Sequence, residues 1–196
     1  VNSAQANAEL CNLISSTLLD IGLNKDQFTI NVSNRKIVQG LINDLKISDD
    51  KQLRVIRAID KLDKPGFGLK GVEDLLKKER KDRSGAITKG ADLTDEQASQ
   101  ILNFLKIKDL KTLKENLKNP LSQEGIKELE DVFEIIGFSS YLSEIKTNFT
   151  IVRGLQYYSD FILETNLNFK VTNIKGKEVD IGSICSGGAY SKLISR

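Results

Sequence analysis

Apolar residues recur over the first twenty positions with the spacing of a helix. Leu10, Ile14, Leu18 and Ile21 share one side of residues 3–22, and Gly22 stands where a C′ glycine ends a helix. The run Phe28-Thr29-Ile30-Asn31-Val32 alternates apolar and polar, the pattern of a strand with one buried face. Ser33-Asn34 then offers a cap for a second helix carrying Ile37, Leu41 and Leu45.

From about residue 49 helical patterns follow one another without strands between them. Leu53, Ile56 and Ile59 mark one helix, and Leu69 and Leu76 bound another after the breaker Pro65-Gly66. Thr94-Asp95-Glu96-Gln97 is a capping-box pattern, with Thr94 as N-cap, that opens a helix with Ile101, Leu102 and Leu105. Leu110, Leu113 and Leu117 mark a lysine-rich helix that stops near Pro120. Ile126, Leu129, Val132, Phe133 and Ile136 mark the last one, which ends at Gly137. After about residue 147 the period falls to two, and residues 150–154, 161–171 and 179–185 read as strands. Asn173-Ile174-Lys175-Gly176 has the character of a hairpin loop between the last two.

The order is thus mixed, then all-helical, then mostly strand. Neither outer piece closes a core easily, because an isolated sheet of two or three strands needs cover. The economical arrangement is an α+β unit built from residues 1–46 and 147–196, with residues 47–146 inserted between them as an all-helical unit.

Composition narrows the chemistry. The 196 residues are 39% hydrophobic and 29% charged, a globular balance, and a net charge of +2 selects no partner by bulk attraction. The chain has no His, so a Ser-His-Asp triad, a Cys-His pair and a His-ligated zinc site cannot be built from it alone. It has no Met and opens on Val1, which points to a processed start or a piece of something longer. Cys11 and Cys185 lie far apart without CxxC spacing and read as reduced thiols of a cytosolic protein, not as a metal site or disulfide. No apolar run reaches the roughly 18–20 residues of a membrane span, and the N-terminus lacks the order of a signal peptide.

Two segments carry candidate chemistry. Ile151-Val152-Arg153-Gly154-Leu155-Gln156-Tyr157-Tyr158 places a guanidinium fork beside two aromatic walls with polar tips. These residues suit a small planar ligand next to an anionic group, although chemistry alone favours a buried aromatic pair with a surface arginine. Gly182-Ser183-Ile184-Cys185-Ser186-Gly187-Gly188-Ala189-Tyr190 ends in a glycine pair that lets backbone approach a ligand closely. A Gly-Gly-x-Tyr alone is a common turn.

Together the two segments resemble the histidine-recognition motifs of the histidyl-tRNA synthetase family. Arg153-Gly154-Leu155-Gln156-Tyr157-Tyr158 looks like the first, and Gly187-Gly188-Ala189-Tyr190 with Leu193 like the second. Asn34-Arg35-Lys36, residues 57–64 and Lys81-Asp82-Arg83-Ser84-Gly85 are similar to the bacterial form, so the resemblance runs over essentially the whole chain. It implies a class II synthetase core, an antiparallel sheet flanked by helices and interrupted by a helical insertion domain. It implies an enzyme that activates histidine with ATP, with Mg2+ expected, and transfers it to the 3′ end of tRNA(His). Carried over, Arg153 would meet the α-phosphate as the catalytic residue. Tyr157, Tyr158 and Tyr190 would line the histidine pocket, with Gly187 and Gly188 letting backbone pass close to the substrate. Glu164 and Ser183 match family positions read first as structural.

The chain departs from the family at Gln156, where Asp or Glu is usual, and at Ser159-Asp160, where Thr-Gly is usual. Ala189 replaces an Arg and Ser191 an Asp, which removes an ion pair or hydrogen-bond network near the pocket. The family's first two class-defining motifs would precede Val1. Its third, and the anticodon-binding domain, would follow Arg196. The resemblance therefore implies a central piece of a cytoplasmic homodimer that does not form the adenylate alone. A synthetase-like regulatory subunit of ATP phosphoribosyltransferase is the alternative, and a helical RNA-binding module with a β appendage a third reading. Basic clusters at residues 77–83 and at Lys106, Lys108, Lys111, Lys114 and Lys118 offer phosphate contacts, but interleaved acids favour a solvated face.

Overall fold

The computed structural model of the chain describes residues 3–64, 66–81, 87–152, 158–179 and 181–189. Helix α1 (Ala4–Asp20) starts at Ser3, whose side chain accepts from the Ala6 N–H. Beyond its end Gly22 adopts φ +99°, a conformation that glycine enters without a Cβ penalty. Strand β1 (Phe28–Asn34) runs into α2 (Arg35–Asp44), which Asn34 caps by accepting from the Lys36 N–H. Helices α3 (Asp49–Ile59) and α4 (Gly68–Lys77) follow. A two-residue hairpin, β2 (Arg80–Lys81) with β3 (Ile87–Thr88), interrupts the helical stretch. Helix α5 (Asp95–Phe104) carries the full reciprocal capping box of Thr94 and Gln97. Helix α6 (Leu110–Asn116) precedes α7 (Pro120–Ile136), which has Asn119 as cap and Pro120 at its first position. The pattern of strands resumes with β4 (Ile145–Thr147), β5 (Phe161–Leu167), β6 (Val171–Thr172), β7 (Glu178–Val179) and β8 (Ser183–Gly188).

The main sheet has the order β4-β1-β5-β8. Strands β1 and β5 pair antiparallel over their whole lengths, and β8 pairs antiparallel with β5. Strand β4 instead joins β1 in parallel, so the α+β fold holds while the sheet is mixed. Parallel neighbours need a crossover connection, and α7 supplies it before the chain returns to β4. Of the strand expected at 150–154, residues 150–152 form none, and 153–154 lie outside the described residues, as does the breaker Pro65. The run 161–171 breaks after Leu167 into β5 and β6, and 179–185 breaks near Gly182, at φ +69°, into β7 and β8.

Helix α7 packs on β1 and β5, with α1 and α2 alongside it. The α2–α7 crossing is close: a Cβ on Gly40 would lie 2.1 Å from Ser122 Oγ, while that hydroxyl donates to the Ile37 carbonyl at 2.9 Å. Helices α3, α4 and α5 pack in sequence, and α6 rests on α7. Buried residues of the sheet and of all the helices belong to one apolar cluster. Residues 120–147 thus pack with the sheet even though their periodicity continues the helical stretch. Periodicity shows which face of a helix is buried, not what buries it.

Candidate active-site face of the sheet

Alternation divides the β1–β5 pair into two faces. Phe28, Ile30 and Val32 are buried on the helix side with Phe161, Leu163 and Thr165, which they oppose or neighbour in the register. The other side carries Thr29 and Asn31 opposite Asn166 and Glu164, and continues to Ser186 on β8. These polar groups form a chain. Asn31 Nδ2 donates to Asn166 Oδ1 at 3.0 Å, and Asn166 Nδ2 donates to Glu164 Oε1 at 3.3 Å. Over this face opens a cleft of about 460 Å³, with Glu164, Asn166 and Ser183 on one wall and Asp60, Asp63 and Lys64 on the other. The end of α3 therefore faces the open side of the sheet, and the cleft lies where the helical stretch and the sheet meet.

At the opposite end of β5 the two sequence motifs come together. Ser159 N–H donates to the Ala189 carbonyl at 2.9 Å, and Ala189 N–H donates to the Phe161 carbonyl at 2.8 Å. Gly188 lies opposite Ile162. A Cβ on Gly188 would stand 2.8 Å from Tyr158 Cδ1 and 2.7 Å from the Phe161 carbonyl oxygen. Glycine is thus required here by the tyrosine ring and the neighbouring strand. Gly187 has open space where its Cβ would be. Arg153, Gly154, Leu155, Gln156 and Tyr157 of the first motif, and Tyr190, Ser191 and Leu193 of the second, lie outside the described residues.

Beneath Tyr158 and Ser159 lies a charged cluster that the sequence did not reveal. Lys36 Nζ meets Glu124 Oε1 at 2.7 Å, Glu128 Oε1 at 2.5 Å and Asp160 Oδ1 at 3.3 Å. Burial works against the Lys36 charge, but hydrogen bonds to Glu124, Glu128 and Asp160 more than offset it and hold the ammonium above its ordinary range. Asn34 Nδ2 donates to Glu128 Oε2 at 2.6 Å, and Arg35 N–H to the Asp160 carbonyl at 2.9 Å.

One lysine of each basic cluster is paired with carboxylates. Lys77 bridges Glu73 and Asp95, and Lys114 meets Glu130 at 2.8 Å. The rest of the first cluster, from Asp82, lies outside the described residues. A separate groove of about 250 Å³ is lined by Arg54, Arg57, Lys61 and Lys89, with no carboxylate among the described residues of its wall. Arg54 is paired with Asp50 and Asp92. Its cations come from α3, the turn after it and the residue after β3, so no local run of sequence announces the groove. Among the described residues no group of three or more Cys, Asp or Glu side chains is placed to hold a metal ion. No helix among them is long and apolar enough to cross a membrane.

The family model described as histidyl-tRNA synthetase matches residues 1–196. The chain belongs to the histidyl-tRNA synthetase family. A histidine–tRNA ligase of Pelagibacter ubique is 79% identical over all of this chain and 42% of its own length. A histidyl-tRNA synthetase structure from Nostoc sp. PCC 7120 matches 100% of the chain and 42% of its own, with TM-score 0.76 and 27% identity. A Bacillus halodurans C structure, an ATP phosphoribosyltransferase regulatory subunit/histidyl-tRNA synthetase, matches 100% of the chain and 45% of its own, with TM-score 0.74. At 16% identity that likeness concerns the fold alone. The chain spans 42% and 40% of the first two curated relatives it matches. Tyr158 of the first sequence segment and Gly187 to Ala189 of the second lie at one end of the β5–β8 pair.

Proposed function

We propose that this chain carries the histidine-binding part of a histidine–tRNA ligase. The ligase would condense histidine with ATP to histidyl-adenylate, releasing pyrophosphate, and pass the histidyl group to the 3′ end of tRNA(His). The observation that carries this reading is the seat of Tyr158 on Gly188, with the Ser159–Ala189 hydrogen bond locking the two motifs side by side. Tyr157, Tyr158 and Tyr190 wall the histidine pocket in this reading, and Gly187 and Gly188 keep its floor low. Arg153 stabilises charge on the α-phosphate as pyrophosphate leaves. The whole protein acts as a cytoplasmic homodimer, and Mg2+ arrives with the ATP.

Helices from the 47–146 stretch form the inserted unit of this reading and face the tRNA. The groove of Arg57, Lys61 and Lys89, with no carboxylate among its described lining, suits phosphates better than Lys77 and Lys114, which already meet carboxylates. The regulatory-subunit reading has less support, because the high-identity relatives carry the ligase name.

The test is pyrophosphate exchange into ATP by the full-length protein. Exchange should require histidine. Arg153→Ala should lose it by at least about a hundredfold, the cost of one transition-state donor. Normal exchange in that variant would remove the role given to Arg153, and histidine-independent exchange would remove the ligase reading.

A further inference from the structure

Asp160 is one of the two positions at 159–160 where the chain leaves the family pattern, and the structure shows what the carboxylate does. The residue is only 8% exposed. An ionised carboxylate at that depth is costly unless it is paired and hydrogen-bonded. Lys36 Nζ stands 3.3 Å from Oδ1, and Ser159 Oγ donates to Oδ2 at 2.6 Å. An ammonium has three N–H donors. Glu124 and Glu128 of α7 take two of them, and Asp160 takes the third.

The segment 158–160 is therefore gripped from two sides. The Lys36 ammonium and the Arg35 N–H hold Asp160 from the start of α2, and β8 holds Ser159 through the Ala189 carbonyl. Tyr158, next in line, rests its ring where Gly188 leaves no room for a Cβ.

We propose that Lys36 and Asp160 form a positioning pair for the amino-acid substrate: the ion pair sets where the Tyr158 ring stands, and through it the affinity for histidine. Neither residue touches the substrate in this scheme. The inference rests on the reading of Tyr158 as a wall of the histidine pocket. It also makes α7 part of the device, since Glu124 and Glu128 fix the lysine that fixes Asp160.

The experiment uses the full-length protein and histidine-dependent pyrophosphate exchange. Asp160→Asn keeps the side-chain shape and removes the charge. It should raise KM for histidine by roughly ten- to hundredfold, the range that a small misplacement of a binding wall costs. KM for ATP should stay within about twofold, because uniform damage would move both constants. Lys36→Gln should do the same, and the double variant should be no worse than the larger single effect, because both act through one contact. Thermal unfolding of each variant separates this from a role in folding alone. A lowered Tm with an unchanged KM for histidine in both single variants overturns the proposal. Tyr158→Ala is the reference. If it raises KM for histidine while Asp160→Asn and Lys36→Gln do not, only the positioning pair falls. If Tyr158→Ala leaves KM unchanged, the pocket reading falls and takes the pair with it.

Discussion

Strands β1 and β5 present two faces that share a backbone and differ in almost everything else. On the helix side Ile30, Val32, Phe161 and Leu163 are at most 1% exposed and pack under α7. On the open side Asn31, Glu164 and Asn166 hydrogen-bond in a row beneath a cleft. One face contributes stability by removing apolar area from water, and the other keeps polar groups ordered where a ligand can reach them. Because successive side chains alternate, a one-residue slip in the β1–β5 register would exchange the two sets. Full-length antiparallel pairing of these strands thus fixes the core and the site in one step.

The largest effect separates the faces directly. Leu163→Ala leaves a cavity in the helix-side core and should destabilise the protein by about 2–5 kcal/mol. Asn166→Ala, on the opposite face, removes two part-buried hydrogen bonds and should cost about 1–2 kcal/mol. Denaturant midpoints of the two variants check this, and equal losses would break the division into a stability face and a ligand face.

A smaller effect sharpens the comparison on the open side itself. Gly188→Ala places a methyl against the Tyr158 ring and the Phe161 carbonyl and should cost about 1–3 kcal/mol, the range for overpacking. Histidine affinity should fall with it. Gly187→Ala enters open space and should stay within about 0.5 kcal/mol of the parent. Adjacent glycines of one motif would then differ because only one lies against the tyrosine. Equal effects on stability would show that this seat has no special weight.

The helix-side face was the more legible of the two in the sequence. Period-two alternation at 28–32 placed β1, and local caps at Asn34 and Thr94 marked helix starts, because such signals act within four residues. Strand β4 escaped because Ile145-Lys146-Thr147 is too short to show a period, and the α7 crossover decides its place. On the open side Tyr158 and Gly188 were legible as motifs, yet their contact was not. The Lys36–Asp160 pair and the cationic groove were invisible for the same reason. Their members lie on different elements, far apart in sequence, and only the packing of α2, α7 and the sheet joins them.

The two thiols provide the finest probe of how far helical cover extends. Cys11 is fully buried on α1, and burial pushes its thiol up from the ordinary 9.0 to about 12. Cys185 sits partly exposed on β8, the strand at the sheet edge. A thiol reagent at pH 8 should label Cys185 in the folded protein. Cys11 should react at least about a hundredfold more slowly, because its labelling waits for opening of the core. The same shift has a pH signature. The folded thiol holds its proton more tightly than the unfolded one, so its contribution to stability is complete below about pH 9 and is lost as pH rises towards 12. Cys11→Ala should flatten that part of the alkaline stability profile. Rapid labelling of Cys11 in the folded state would mean that the helical layer opens as readily as the sheet edge, and the distinction between the two regions would shrink to one of composition.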